Sequence, residues 1–217
     1  MTLPSTILMT GFTPFGGETT NPSWQAVQRA ASLWNGPERL VIAEIPTVFG
    51  LSGQTLRALM HEHQPDLVIA VGQAGGRAQI TPERIAINVD DARIPDNDGN
   101  QPIDTPIAAE GPAAHFTTLP IKQAVAAMRA QGIPAAVSNS AGTFVCNHLF
   151  YSLMQLIATE FPRARGGFVH VPFSPDQVTD TPQPSLSIEL IAQGLVTIAR
   201  TAIDVREDVA LVGGAEH

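Results

Sequence analysis

The sequence predicts an α/β fold: a largely parallel sheet with helices on both of its faces. Three observations carry this reading. Through most of the 217 residues, short apolar runs of strand length alternate with stretches whose apolar residues recur at helical spacing, the order of strands joined by crossover helices. Residues 67–71, Leu-Val-Ile-Ala-Val, form an unbroken β-favouring run of the kind buried on both faces. The alternation of Ile85, Ile87 and Val89 follows that run with no room for a crossover helix, which makes the sheet mixed. No linker-like composition divides the chain, so one domain over residues 1–217 is expected.

Residues 6–10 read as a buried first strand opening into the turn Gly11-Phe-Thr-Pro-Phe-Gly-Gly17. Asn21-Pro22 then supplies an N-cap and a proline at the first helical position, with Trp24, Val27, Ala31 and Trp34 along one face of the helix. Neither G-x-G-x-x-G spacing nor a phosphate-loop lysine is present, which rejects a nucleotide-binding reading of the turn. Phe12 and Phe15 either pack beneath it or wall an apolar pocket at the C-terminal edge of the strand, where open α/β sheets hold ligands. Residues 40–45 are a second strand and residues 50–63 a helix with Leu51, Leu56, Leu59 and Met60 inward. His61 and His63, two apart, do not face one another on a helix and read as solvated surface rather than metal ligands.

The strand at residues 67–71 ends in Gly72-Gln-Ala-Gly-Gly-Arg77, where glycines let backbone near Gln73 approach a ligand, against the plainer reading of a simple turn. Glu83 stands just before the Ile85 alternation, and on its own reads as a surface acid paired with an arginine. Residues 90–106 form an acidic loop longer than ordinary connections. It lacks the twelve-residue calcium pattern, and its Arg93 is a candidate to stabilise an oxyanion. Residues 120–131 predict a helix closed by Gly132, residues 133–137 a short strand, and residues 182–204 one long covering helix.

The only cysteine, Cys146, lies where that short strand feeds a helix marked by Phe150, Leu153, Met154, Ile157 and Phe161. Unpaired N–H groups at such a helix start favour an anion, so the thiol pKa is expected to fall and an oxyanion to be held there. The competing reading is inert core filler, the common fate of a lone cysteine. His170 lies in a short strand, on the face opposite Val169 and Val171. His148, two residues past Cys146, should project away from the thiol. One cysteine allows no internal disulfide, which fits a reducing, cytoplasmic setting, and the N-terminus lacks the pattern of a signal peptide. The net charge of −8 with scattered basic residues argues against nucleic acid and membrane as partners.

Several blocks taken together resemble the pyroglutamyl peptidase I family, also called pyrrolidone-carboxylate peptidases. They are Gly-Phe-Thr-Pro-Phe-Gly-Gly17, Gly-Gln-Ala-Gly-Gly-Arg77, Thr81-Pro-Glu-Arg84, the Asp-Asp-Ala-Arg93 segment, Ser138-Asn-Ser-Ala-Gly-Thr-Phe-Val-Cys-Asn147 and His170-Val-Pro172. The resemblance implies a three-layer α/β/α sandwich with a central mixed, mostly parallel sheet. It implies a catalytic Cys146, His170 and Glu83, and substrate contacts from Phe12, Phe15 and the backbone near Gln73; Phe144, as a further wall of the apolar slot, and Arg93 are read as substrate-binding beside them. It further implies a cysteine peptidase that removes N-terminal pyroglutamate from peptides, needs no metal or organic cofactor, and forms a homo-oligomer, a tetramer. His115 departs from the family's aromatic at that position, which puts a substrate-flanking role there in doubt. Two other readings stay open: a cysteine amidase acting on another small acyl or cyclic amide, and a non-enzymatic binding protein that retains the pocket.

Overall fold

The computed structural model describes residues 5–214; Met1–Pro4, the start of the N-terminus read above as lacking a leader, lie outside them. In chain order the elements are β1 (Thr6–Phe12), α1 (Pro22–Leu33), β2 (Arg39–Ile45), α2 (Leu51–His63), β3 (Leu67–Gln73), β4 (Thr81–Pro82), β5 (Ile85–Ile87), β6 (Ala114–Phe116), α3 (Ile121–Ala130), α4 (Val145–Thr159), β7 (Arg165–Val171) and α5 (Ile188–Asp204). The main sheet has the order β2-β1-β3-β7-β4. Its first four strands are parallel, and β4 runs antiparallel to β7 at the edge, so the mixed sheet expected from the sequence is present.

The two-residue period of the strands divides the core. Met9, Ile69, Val169 and Val171 face α1, α3 and α5 on one side of the sheet. Leu8, Val68, Ala70 and Phe168 face α2 and α4 on the other, and His170 shares the side of Phe168 by strand period. Three layers result, with both faces of β3 buried as its apolar run requires. Helix starts are set locally: the Asn21 side chain accepts from the Ser23 N–H and Pro22 follows it, as the sequence predicts.

Several expectations need correction. Residues 133–137 are not a strand; they run beside the sheet edge through isolated bridges, Ala135 with Ile80 and, just beyond, Ser138 with Glu83. Pro134 has no N–H to extend such a ladder. The Ile85 alternation does form a strand, but its buried residue is Ala86, with Ile85 and Ile87 only half-buried. It pairs with β6 in a separate two-stranded sheet. Leu51 is 43% exposed rather than inward. The last helix begins at Ile188, where the Ser187 side chain accepts from the Leu190 N–H, six residues later than its pattern suggested.

Candidate active site

Cys146 is the second residue of α4, and the N-cap position before it is Phe144, which offers no capping side chain. The first-turn N–H groups are thus left for another acceptor. The turn leading into the helix includes Gly142 at φ +77°, a conformation that favours glycine. Thr143 is tied to the long acidic segment by a reciprocal pair: Asp91 N–H donates to the Thr143 carbonyl (3.0 Å) and the Thr143 hydroxyl donates to the Asp91 carbonyl (2.7 Å). That pair brings Arg93 to the wall of the same cavity.

His170 and Gly72 are partners in the β3–β7 register. A Cβ on Gly72 would lie 2.8 Å from the Cys146 sulfur, so the bare backbone at this point makes room for the thiol. Glu83 directly follows β4, and its N–H donates to the Phe168 carbonyl at 2.9 Å. This antiparallel rung places the carboxylate beneath the imidazole, with His170 Nδ1 2.7 Å from Glu83 Oε1. Glu83 is fully buried and His170 is 3% exposed. With the Nδ1 proton given to Glu83, the other ring nitrogen is free to take a proton.

Electrostatics depart from the sequence reading in one respect. Burial, reinforced by the Glu83 charge and opposed by Arg77, pushes the Cys146 thiol up to about 12, where the helix start was expected to lower it. Burial likewise pulls His170 below its ordinary value, against the raising effect of Glu83. Glu83 is pushed upward by burial, but His170, the Ser138 hydroxyl and the Arg77 charge together outweigh this and hold it below the usual carboxylate range. The resting site therefore consists of a neutral thiol, a neutral imidazole and an ionised acid.

Cys146 and His170 open into a cavity of about 430 Å³ at the C-terminal ends of β1 and β3, lined also by Phe12, Phe15, Gln73, Arg93 and Phe144 among others, while Glu83 is bonded to the imidazole and fully buried. Phe12 answers to both readings offered for it: it is 2% exposed within the core and also forms part of the lining. Phe15 packs on Phe144 with ring centroids 6.1 Å apart, and Phe49 meets Phe144 edge-on at 5.4 Å. His148 points away from the thiol, as its spacing implied, and bonds Asp90 through Nδ1 at 2.8 Å while accepting from the Gly50 N–H. His115 sits on β6, bonded to Gln155 and packed on Tyr151, outside this cavity's lining. Asp96 of the acidic loop folds its own turn by accepting from Asp98 and Asn100 N–H groups. Among the described residues no cluster of three His, Cys, Asp or Glu is suited to a metal. Sequence reasoning missed Arg77: its Nη1 donates to Glu83 Oε1 at 2.7 Å, a contact between two loop positions that no periodicity announces.

A lone cysteine at an uncapped helix start, sharing a cavity with an imidazole held by a buried carboxylate, is the arrangement of cysteine hydrolases on an α/β scaffold. The comparisons make the class particular. The family model described as pyroglutamyl peptidase matches residues 5–205, and the chain belongs to that family. It is 55% identical to the pyrrolidone-carboxylate peptidase of Bacillus licheniformis, over 96% of this chain and 97% of the relative. The Streptomyces coelicolor protein of the same name is 54% identical, over 97% and 99%. Among solved structures, pyroglutamyl peptidase I of Bacillus amyloliquefaciens superposes with a TM-score of 0.92 at 54% identity, covering 94% of this chain and all of that one. A mutant pyrrolidone carboxyl peptidase of Pyrococcus furiosus gives 0.88 at 38% identity, over 92% and 98%.

Proposed function

We propose that this chain is a cysteine-type pyroglutamyl peptidase, cleaving the amide bond that follows an N-terminal pyroglutamate. The observation that carries the reading is that Cys146 and His170, the latter bonded to the buried Glu83, share one small aromatic-walled cavity in a chain so similar to named pyrrolidone-carboxylate peptidases. Because the resting thiol is neutral, its proton leaves as attack begins. His170 takes it while the sulfur bonds to the pyroglutamyl carbonyl carbon. The oxyanion so formed is met by the free N–H groups at the start of α4, with Arg93 beside them. His170 then gives its proton to the departing amine as the C–N bond breaks, leaving a thioester. A water molecule, deprotonated by His170, cleaves the thioester and releases pyroglutamate with the thiol restored. Throughout, Glu83 orients the ring and stabilises its charged form.

Selection rests on shape and desolvation. Phe12, Phe15 and Phe144 enclose a flat, uncharged lactam, whereas an ordinary ammonium terminus would lose its hydration there without a partner. The end of β3 at Gln73 offers main-chain groups to the lactam edge. The substrates are accordingly peptides with N-terminal pyroglutamate, handled by one catalytic domain. A reducing, cytoplasmic setting suits the single thiol, and no helix among the described residues is long and apolar enough to cross a membrane. A tetramer follows from family resemblance, to be checked by sedimentation.

The deciding experiment is fluorophore release from a pyroglutamyl-aminocoumarin amide, under reducing conditions with a chelator present. Wild type should turn over and Cys146→Ser should lose at least about a thousandfold in kcat, the scale of losing a catalytic nucleophile. A folded wild type without turnover overturns the reading.

A further inference from the structure

Arg77 is the only guanidinium or ammonium bonded to Glu83 among the described residues. The carboxylate is fully buried; Oε1 accepts from both His170 and Arg77, and Oε2 has no partner among the described residues. A carboxylate in that position with only a neutral imidazole and the Ser138 hydroxyl for company would hold its charge less readily, because charge is costly out of water. Arg77 supplies the missing charge from the cavity side, where its side chain remains 28% exposed. Its fork does more than neutralise. Nη1 also donates to the Thr81 hydroxyl (2.5 Å), and Nη2 donates to the Ser140 carbonyl (3.3 Å). Residues 140–144 are the approach to α4 and Cys146, so one planar group joins the acid's strand to the turn that presents the nucleophile.

We propose that Arg77 is a positioning residue of this site: it pairs its charge with Glu83 and clamps that carboxylate to the turn before Cys146, without having to touch the scissile bond. The proposal rests on the roles given above to Glu83, His170 and Cys146. It has a further consequence for reactivity, since Arg77 opposes the Glu83 charge at the sulfur and favours ionisation of the thiol.

The test compares Arg77→Met and Arg77→Lys, each alone and with Glu83→Gln, by two readouts. One is the pH profile of kcat/KM on the pyroglutamyl amide; the other is the pH profile of Cys146 alkylation by iodoacetamide, which needs no substrate. Arg77→Met should lower kcat/KM about ten- to a hundredfold, the range for a lost charge-assisted hydrogen bond, and move both profiles to higher pH. Arg77→Lys should return the profiles toward wild type but only part of the rate, since the cation is restored and the fork is not. Combined with Glu83→Gln, the loss from Arg77→Met should be smaller than in the wild-type background. Unmoved profiles, or fully additive losses, overturn the proposal. Should Arg77→Met fail to fold, Arg77→Lys decides: wild-type rate at every pH overturns it, and a reduced rate with wild-type profiles supports it. A wild type that alkylates but does not turn over the amide would sink the proposed function while leaving the alkylation comparison to judge Arg77.

Discussion

His170 resists protonation because it is buried, and that preference is written into the stability of the whole chain. Its folded value lies below the ordinary 6.5, so between those two values the unfolded chain binds a proton that the folded chain declines. Stability is complete above about pH 6.5 and is lost as pH falls toward the folded value. Glu83, also depressed, adds a second loss that begins below its ordinary 4.5 and has the same sign. Urea midpoints measured from pH 7 to pH 5 should therefore fall in wild type and fall less steeply in His170→Gln. Equal slopes would show that His170 does not carry this term. Burial acts on the thiol in the opposite chemical sense, holding its proton in place where it drives one off His170.

The elements bring these residues together through one close approach, at Gly72 in β3. Gly72→Ala would set a methyl carbon 2.8 Å from both the sulfur and the Phe168 ring. We expect a cost of about 1–3 kcal/mol from overpacking and a kcat loss larger than that destabilisation alone would produce. Wild-type kcat with a lowered Tm would mean that the thiol can move aside freely. Much of this element pattern was legible in the sequence. The β3 run, the Asn21 cap and the placement of Cys146 at a helix start follow from local chemistry, and the family blocks pointed to Glu83 and His170. What escaped was set by long-range contact. The apolar run at residues 133–137 looked like a strand because its hydrophobicity is genuine, but Pro134 and its edge position leave it only isolated bridges. Arg77 closes the glycine-rich turn after β3, and nothing in its spacing announces that it reaches Glu83. The direction of the Cys146 shift depends on how the fold encloses the sulfur, which no one-dimensional pattern carries.

At the scale of the molecule, the two faces of the sheet carry separate cores, and only one of them borders the proposed site. Leu195, fully buried on the α5 side, touches no proposed catalytic residue, whereas Phe168 on the other side packs against Phe12, Phe150 and the His170 ring. Leu195→Ala should cost about 2–5 kcal/mol with kcat retained below the lowered Tm, while Phe168→Ala should cost about 3–5 kcal/mol and reduce kcat as well. A Phe168→Ala enzyme with full kcat would break the division. The strand order has a consequence for biosynthesis. Glu83 and His170 are 87 residues apart in sequence, and β7 fills a slot between β3 and β4, both of which leave the ribosome well before it. Until that late strand arrives, the acid has neither its backbone rung nor its imidazole, and a nascent chain exposes a thiol with no base. The chemistry proposed for this site therefore waits on β7, and a product cut short before that strand would lack the imidazole that Glu83 holds.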